Sequence, residues 1–134
     1  FDESITNYGH EDTLFGFQLH EKGVVCHHID NPIKNDDLVE NQLFLLKTKD
    51  AVSNVWQISQ KLQNPRFNEQ QKLLRLSIGI SKYPVIRFVV HGCGQVFQPL
   101  LSFFLTQGYF RLWMFDLYRV IELERIIRKN GTNK

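Results

Sequence analysis

The chain has 134 residues, of which 43% are hydrophobic and 22% are charged, and its formal net charge is +2. This composition excludes an intrinsically disordered chain, because there are enough apolar side chains to bury a core. It also excludes a disulfide-stapled scaffold, since the two cysteines are few and show no Cys-x-x-Cys spacing. A reducing compartment is therefore the expectation.

The charges are divided unevenly along the chain. Residues 1–40 contain nine acids and two bases, whereas residues 41–134 contain fourteen bases and five acids. The local net charges are therefore −7 and +9. Such a division predicts different tasks for an acidic front part and a basic back part.

Residues 1–35 are predicted to form a short α/β segment. Residues 13–21 fit a brief helix with an apolar face, and Gly23 supplies its left-handed stop. Residues 24–29 contain β-branched side chains in successive positions, which is typical of a strand buried on both faces. The Asp-Asn-Pro turn at residues 30–32 ends that strand.

Residues 36–134 are predicted to form a helical extension. Asp37 and Glu40 have the spacing of a capping box before a first helix that ends at Asn64-Pro65. Three further helices are expected over about residues 69–81, 85–107 and 109–129. The stretch 88–110 lacks charged residues, but its polar residues, glycines and proline make a poor membrane span, so a buried helix or a membrane-surface element is expected.

A single strand cannot form a sheet by itself. A strand buried on both faces needs neighbours at its edges, and the rest of this chain offers no clear partner. The chain also begins with Phe1 rather than methionine. We therefore expect the remaining strands to lie upstream, in a longer protein.

The densest cluster of reactive side chains is the Tyr-Gly-His-Glu-Asp-Thr run at residues 8–13, of which residues 9–13 are called the knuckle below. One interpretation of its acid pair is structural, because acids in a first helical turn complement the helix dipole. The other is chemical: Gly9 allows a close approach to a ligand, one carboxylate accepts a proton from a substrate hydroxyl, and its neighbour positions that substrate.

A second cluster is the Cys-His-His-Ile-Asp run at residues 26–30, with His10 and His20 upstream of it. On a strand, His27 and His28 would point to opposite faces, whereas His28 and Asp30 would share one. His28 and Asp30 could therefore border an oxygen-rich Mg²⁺ or Mn²⁺ site, although a structural histidine is the more common case. A metal-dependent hydrolase built on His10, His28 and Asp30 is a further alternative.

Three segments of the sequence resemble the C-terminal part of bacterial family 2 glycosyltransferases of the GT-A type. They are Phe-Asp-Glu at residues 1–3, Tyr-Gly-His-Glu-Asp-Thr-Leu-Phe-Gly at residues 8–16 and His-Ile-Asp-Asn-Pro at residues 28–32. The resemblance implies an α/β GT-A-like fragment, mostly helical here, that lacks its nucleotide-binding sheet. Residues 1–35 would then be the acceptor-side end of the catalytic domain, and residues 36–134 a C-terminal helical extension.

The resemblance also implies roles for individual residues. Asp12 would be the base that deprotonates the acceptor, Glu11 would position that acceptor, and Gly9 and His10 would line its binding site. His28 would lie near a divalent cation, Mn²⁺ or Mg²⁺, held mostly by the missing N-terminal half. The chain departs from the family in lacking an Asp-x-Asp motif, and Lys34 and Asn35 stand where relatives often carry a second histidine.

The implied activity is transfer of a sugar from a nucleotide-diphosphate donor to a hydroxyl of a glycan or lipid-linked acceptor. This reaction would serve surface polysaccharide or glycolipid assembly in the cytoplasm, at the inner face of the plasma membrane, and the fragment alone would be inactive. The alternative is a non-enzymatic helical module whose basic back part docks a partner or makes peripheral membrane contact. Nucleic-acid binding is not expected, because no recognised module is present.

Overall fold

The structure is a computed structural model that describes residues 9–25, 27, 29–34, 39–109 and 111–131, with only the backbone of residues 93 and 95. The described part of the chain is mostly helical. Its helices, in chain order, are α1 (Glu11–Glu21), α2 (Asn41–Leu62), α3 (Pro65–Gln70), α4 (Lys72–Ser81), α5 (Pro84–Thr106) and α6 (Leu112–Gly131).

Helix α6 is the central element of this assembly. It contacts α2, α4 and α5, and five consecutive residues, 120–124, are buried. Successive helical residues point in directions about 100° apart, so a buried run of this length means that the helix is surrounded on all sides. Leu123, which is completely buried, marks the middle of the core.

Helix α1 packs against α2 and α3 through its apolar face. Leu14 and Phe17 belong to the same core cluster as Val52 and Val55 of α2. Phe17 also meets the fully buried Phe67 of α3 edge to face, with ring centroids 5.3 Å apart. The acidic front part and the helical back part therefore share one core.

Most helix predictions are confirmed, with differences at their ends. The stop at Gly23 is as expected: its φ is +68°, and Val24 N–H donates to the Leu19 carbonyl at 3.0 Å. The helix predicted over 69–81 is instead two helices, α3 and α4, with Gln71 extended between them. The reason is that Pro65 begins a helix at its first position, where proline needs no N–H partner, and Asn64 caps it.

The strand predicted over residues 24–29 is not formed at the residues that the structure describes there. Val24, Val25 and Ile29 are 48%, 72% and 79% exposed, so the prediction that they are buried is wrong for this chain. A strand needs a partner for its backbone groups, and the described residues provide none. Cys26, His28 and Asp37 lie outside the described residues.

Two carboxylates of α6 are buried inside the core. Glu122 is 1% exposed and accepts a hydrogen bond from Gln98 Nε2 of α5. Glu124 is 2% exposed and accepts a bond of 2.5 Å from Ser77 Oγ of α4. His91 Nε2 of α5 also lies 3.5 Å from Glu124. These bonds connect α4, α5 and α6 through polar groups inside the core.

Replacing Ser77 with alanine should therefore destabilise the protein. The variant removes one hydrogen-bond donor from a buried carboxylate, which typically costs about 1–2 kcal/mol of unfolding free energy. Urea denaturation of the full-length protein measures this loss. Ser81→Ala is the matched control, because Ser81 is exposed and its hydroxyl donates only to the Ile78 carbonyl of its own helix. Equal losses in both variants would contradict the assignment.

By length and apolar content, none of the described helices taken singly qualifies as a membrane span. The two arms of α5, Pro84–Gly92 and Val96–Thr106, reach the required length and composition only together, and they are bent by 62° relative to one another.

Candidate functional site

The knuckle has an unusual backbone conformation. Gly9 has a φ of +93° and His10 a φ of +68°, so two consecutive residues are left-handed immediately before α1 begins at Glu11. Glycine adopts this region freely, but for His10 it is a costly conformation. Such conformations persist only where the surrounding structure holds them, and they are concentrated at functional sites.

Helix α2 supports the knuckle through a hydrogen bond and a close backbone contact. Asn54, which is 2% exposed, donates from Nδ2 to the Gly9 carbonyl oxygen. A Cβ atom at Gly9 would lie 2.8 Å from the Cβ of Ala51, closer than side chains approach one another. The backbone therefore lies directly on α2, and only glycine fits at this position.

The two acids of the knuckle face outward from this rigid base. Glu11 and Asp12 occupy the first turn of α1 and are both exposed. Asp12 Oδ1 accepts hydrogen bonds from Thr13, at 2.7 Å from the backbone N–H and 3.3 Å from the hydroxyl. Asp12 thus stabilises the start of the helix, as the structural interpretation predicts, and its carboxylate stays accessible for chemistry.

His10 lies at the inner side of the knuckle. Its burial, and secondarily the positive charge of Arg119 on α6, lower the pKa of the imidazole below its ordinary value of 6.5, whereas Asp12 and Glu11 raise it less. Its Nδ1 is 3.4 Å from the Thr13 hydroxyl. At neutral pH the ring is therefore neutral and able to exchange a hydrogen bond with Thr13.

The depressed pKa of His10 makes stability depend on pH. The unfolded chain binds a proton at His10 near pH 6.5, but the folded chain binds it only at lower pH. The neutral His10 imidazole therefore contributes fully to the unfolding free energy above pH 6.5. This contribution is lost as the pH falls through the pKa that His10 has in the folded chain. When the pH is lowered from about 7.5 to about 5, the unfolding free energy should therefore decrease less in His10→Asn than in the wild type.

Urea denaturation at the two pH values measures this difference, and asparagine is suitable because it tolerates the left-handed region. His20→Asn is the control, because His20 lies near the end of α1, the helix that His10 precedes, and is exposed. If the pH dependence is the same for wild type and His10→Asn, burial of the imidazole does not control it.

The described residues do not supply a cation site. No group of three or more histidine, cysteine or acidic side chains converges among them. Helix α1 carries Glu11 and Asp12 side by side without a third ligand, and His28, the residue predicted to lie near a cation, is outside the described part of the chain. A divalent cation would need ligands from elsewhere.

The described grooves lie away from the knuckle. One of about 1040 Å³ runs between α2, α5 and α6, with Tyr118, Glu122 and Arg125 along its wall. A second of about 830 Å³ lies between α2, α3 and α4, next to Asn68 and Arg75. Neither of these two grooves includes Glu11 or Asp12, which are exposed in the described part of the chain.

Three residues that support the knuckle or act on its charge are missing from the sequence-based prediction. They are Ala51 and Asn54 of α2, which support Gly9, and Arg119 of α6, which acts on His10. Asn54 carries a signal that could reveal it, because a polar residue interrupts the apolar side of α2 between Val52 and Val55. Arg119 carries none, since it comes close to His10 only through the packing of α6.

Comparison with known proteins gives no relative: no family model, no curated protein and no solved structure matches this chain.

Proposed function

We propose that this chain is the acceptor-side C-terminal portion of a family 2 glycosyltransferase with a GT-A fold. The parent protein transfers a sugar from a nucleotide-diphosphate donor to a hydroxyl of a glycan or lipid-linked acceptor. The observation that carries the proposal is the knuckle: two left-handed residues fixed on α2 that place two exposed carboxylates at the start of α1.

The geometry of the knuckle suits a general base. Proton transfer requires a carboxylate that is held within hydrogen-bond reach of the proton it removes. The Asn54 bond to the Gly9 carbonyl holds the loop against α2, and the Gly9 backbone lies so close to Ala51 that no Cβ fits between them. Asp12 is therefore carried by a fixed support while its side chain remains accessible.

In the proposed reaction, Asp12 accepts the proton of the acceptor hydroxyl. The acceptor oxygen then forms a bond to the anomeric carbon of the donor sugar, and the bond from that carbon to the phosphate oxygen breaks. The nucleoside diphosphate leaves with the bonding electrons, and attack from the opposite side inverts the anomeric configuration. Glu11, the neighbouring carboxylate, positions the acceptor by accepting a hydrogen bond from a second hydroxyl.

The donor side of the site would come from the upstream polypeptide. The segment 24–34 supports this part of the proposal, because Val25, Ile29 and Ile33 are 72%, 79% and 86% exposed. Apolar side chains this exposed in one short segment indicate a surface that another element covers. In the proposal that element is the nucleotide-binding sheet, which would also hold a Mn²⁺ or Mg²⁺ ion, and no step above depends on the ion.

A transfer assay with the full-length protein tests the proposal. Release of nucleoside diphosphate from a panel of nucleotide sugars, with and without sugar acceptors, should identify at least one donor that turns over. The chain of residues 1–134 by itself should release none. A full-length protein that lacks an upstream strand-rich region and turns over no donor would instead indicate a non-enzymatic helical module.

A further inference from the structure

Helix α5 exposes an apolar face along its whole length. Val85, Phe88, Val96, Leu100 and Phe103 are 74%, 78%, 72%, 48% and 57% exposed. Within each arm of the bent helix their spacing places them on one side: Val85 and Phe88 in the first arm, and Val96, Leu100 and Phe103 in the second. Large exposed apolar patches on folded domains mark surfaces that bind something else.

The opposite side of α5 is buried against α6. Leu101 and Leu105 are buried with Tyr118 and Ile121 of α6. The helices approach so closely that a Cβ atom at Gly94 would lie 3.0 Å from the Ile121 side chain. The exposed face is therefore held outward by a packed core and cannot turn inward.

Exposed aromatic residues follow α5, with Tyr109 in the turn after it and Trp113 in the first turn of α6. Tyr109 and Trp113 are 68% and 61% exposed, and Tyr109 meets Phe104 of α5 edge to face, with ring centroids 6.1 Å apart. Tyrosine and tryptophan are the side chains that prefer the boundary between water and lipid. The exposed apolar side of α5 together with Tyr109 and Trp113 is called the α5 face below.

The part of the sequence that contains the α5 face carries charges of one sign. Residues 70–115 contain five bases and no acid. Lys72 and Arg87 are paired with Asp116 and the buried Glu124. Lys82 and Arg111 are exposed and stand just before α5 and just before α6, at the two ends of the face. A surface that complements the α5 face would therefore be both apolar and anionic.

We infer that the α5 face binds the surface of an anionic phospholipid bilayer. A second copy of the chain fits less well, because a symmetric contact would bring Lys82 and Arg111 against cations of the same sign. Acidic headgroups pair with these two cations, while the apolar side chains enter the boundary of the acyl region. The 62° bend of α5 and its packing on α6 favour a position along the membrane surface.

Sedimentation of the full-length protein with lipid vesicles tests the inference. We expect binding to vesicles of phosphatidylcholine with phosphatidylglycerol and much weaker binding to phosphatidylcholine alone. Leu100→Glu should weaken binding about tenfold or more, because it removes an inserted side chain and adds a negative charge. Lys82→Gln and Arg111→Gln should each weaken it about fivefold.

Leu43→Glu is the matched control for Leu100→Glu. Leu43 lies on α2 and is 47% exposed, so both variants change a half-exposed leucine to glutamate. Circular dichroism establishes that both variants remain folded. Equal loss of binding in the two variants would overturn the inference, as would equal binding of the wild type to neutral and anionic vesicles.

A second measurement, the fluorescence of Trp113, tests the inference without the charge variants. Trp113 fluorescence, taken as the difference between wild type and Trp113→Phe, should be quenched by brominated lipids in anionic vesicles. Absence of quenching would overturn the inference, and so would a lipid-free dimer that Leu100→Glu dissociates. Vesicle binding does not require sugar transfer, so the inference and the proposed function can fail separately.

Discussion

Replacing Asp12 with asparagine is expected to lower sugar transfer by about 10²- to 10⁴-fold, which is the usual contribution of a general base. Asparagine keeps the size of the side chain and can still accept hydrogen bonds from Thr13 through its oxygen, so the start of α1 should remain intact. What it loses is the ability to take a proton. The measurement is acceptor-dependent release of nucleoside diphosphate by the full-length protein.

Asp50→Asn is the matched control for this experiment. Asp50 is an exposed aspartate on α2, outside the knuckle, so the same chemical change is made away from the candidate site. Its transfer rate should equal that of the wild type. Undiminished transfer by Asp12→Asn would show that Asp12 only caps the helix, and the assignment of the base would have to be withdrawn.

Replacing Gly9 with alanine is expected to cost about 2–4 kcal/mol of unfolding free energy, which combines two effects. The positive φ of +93° is unfavourable for alanine, and the new methyl group would lie 2.8 Å from the Ala51 side chain. The knuckle would have to move off α2 to relieve the contact. Transfer activity should fall as well, because Asp12 is carried by this support.

Two further variants separate the causes. Gly23→Ala also places alanine at a positive φ, +68°, but no atom lies within 4 Å of the added methyl group, so it should show the conformational cost alone. The double variant Gly9→Ala with Ala51→Gly should recover part of the lost stability, because the opposing Cβ is removed. Urea denaturation measures all four proteins. If Gly9→Ala and Gly23→Ala lower the unfolding free energy equally, the contact with Ala51 does not contribute to the effect at Gly9.

The two proposals assign different tasks to the two parts of the chain, as the uneven charge distribution suggests. The acidic front part carries the knuckle, whose carboxylates are the proposed acceptor site. The back part carries the α5 face, whose rim is cationic. An enzyme that acts on lipid-linked acceptors would need both, because its acceptor site has to lie close to the membrane that presents the substrate.

The sequence by itself determines most of the helices and the place of the knuckle. Helical periodicity predicts α5 and α6, and the glycine stop at Gly23 is confirmed, because these signals act over one or two turns and need no distant partner. The Gly-His-Glu-Asp-Thr run likewise predicts a loop-to-helix junction with two acids in the first turn, and the structure has that junction.

The buried positions of Glu122 and Glu124 and the anchoring of Gly9 by Asn54 depend on tertiary structure, since each needs a residue from another helix. At the described residues of the segment 24–29 the predicted strand is not formed for the same reason: β-branched residues favour an extended chain, but only a neighbouring strand can satisfy its backbone. Exposure of the α5 face was also decided by packing. The sequence determines how much apolar surface the helix has, but the arrangement of the neighbouring helices determines which side of it stays exposed.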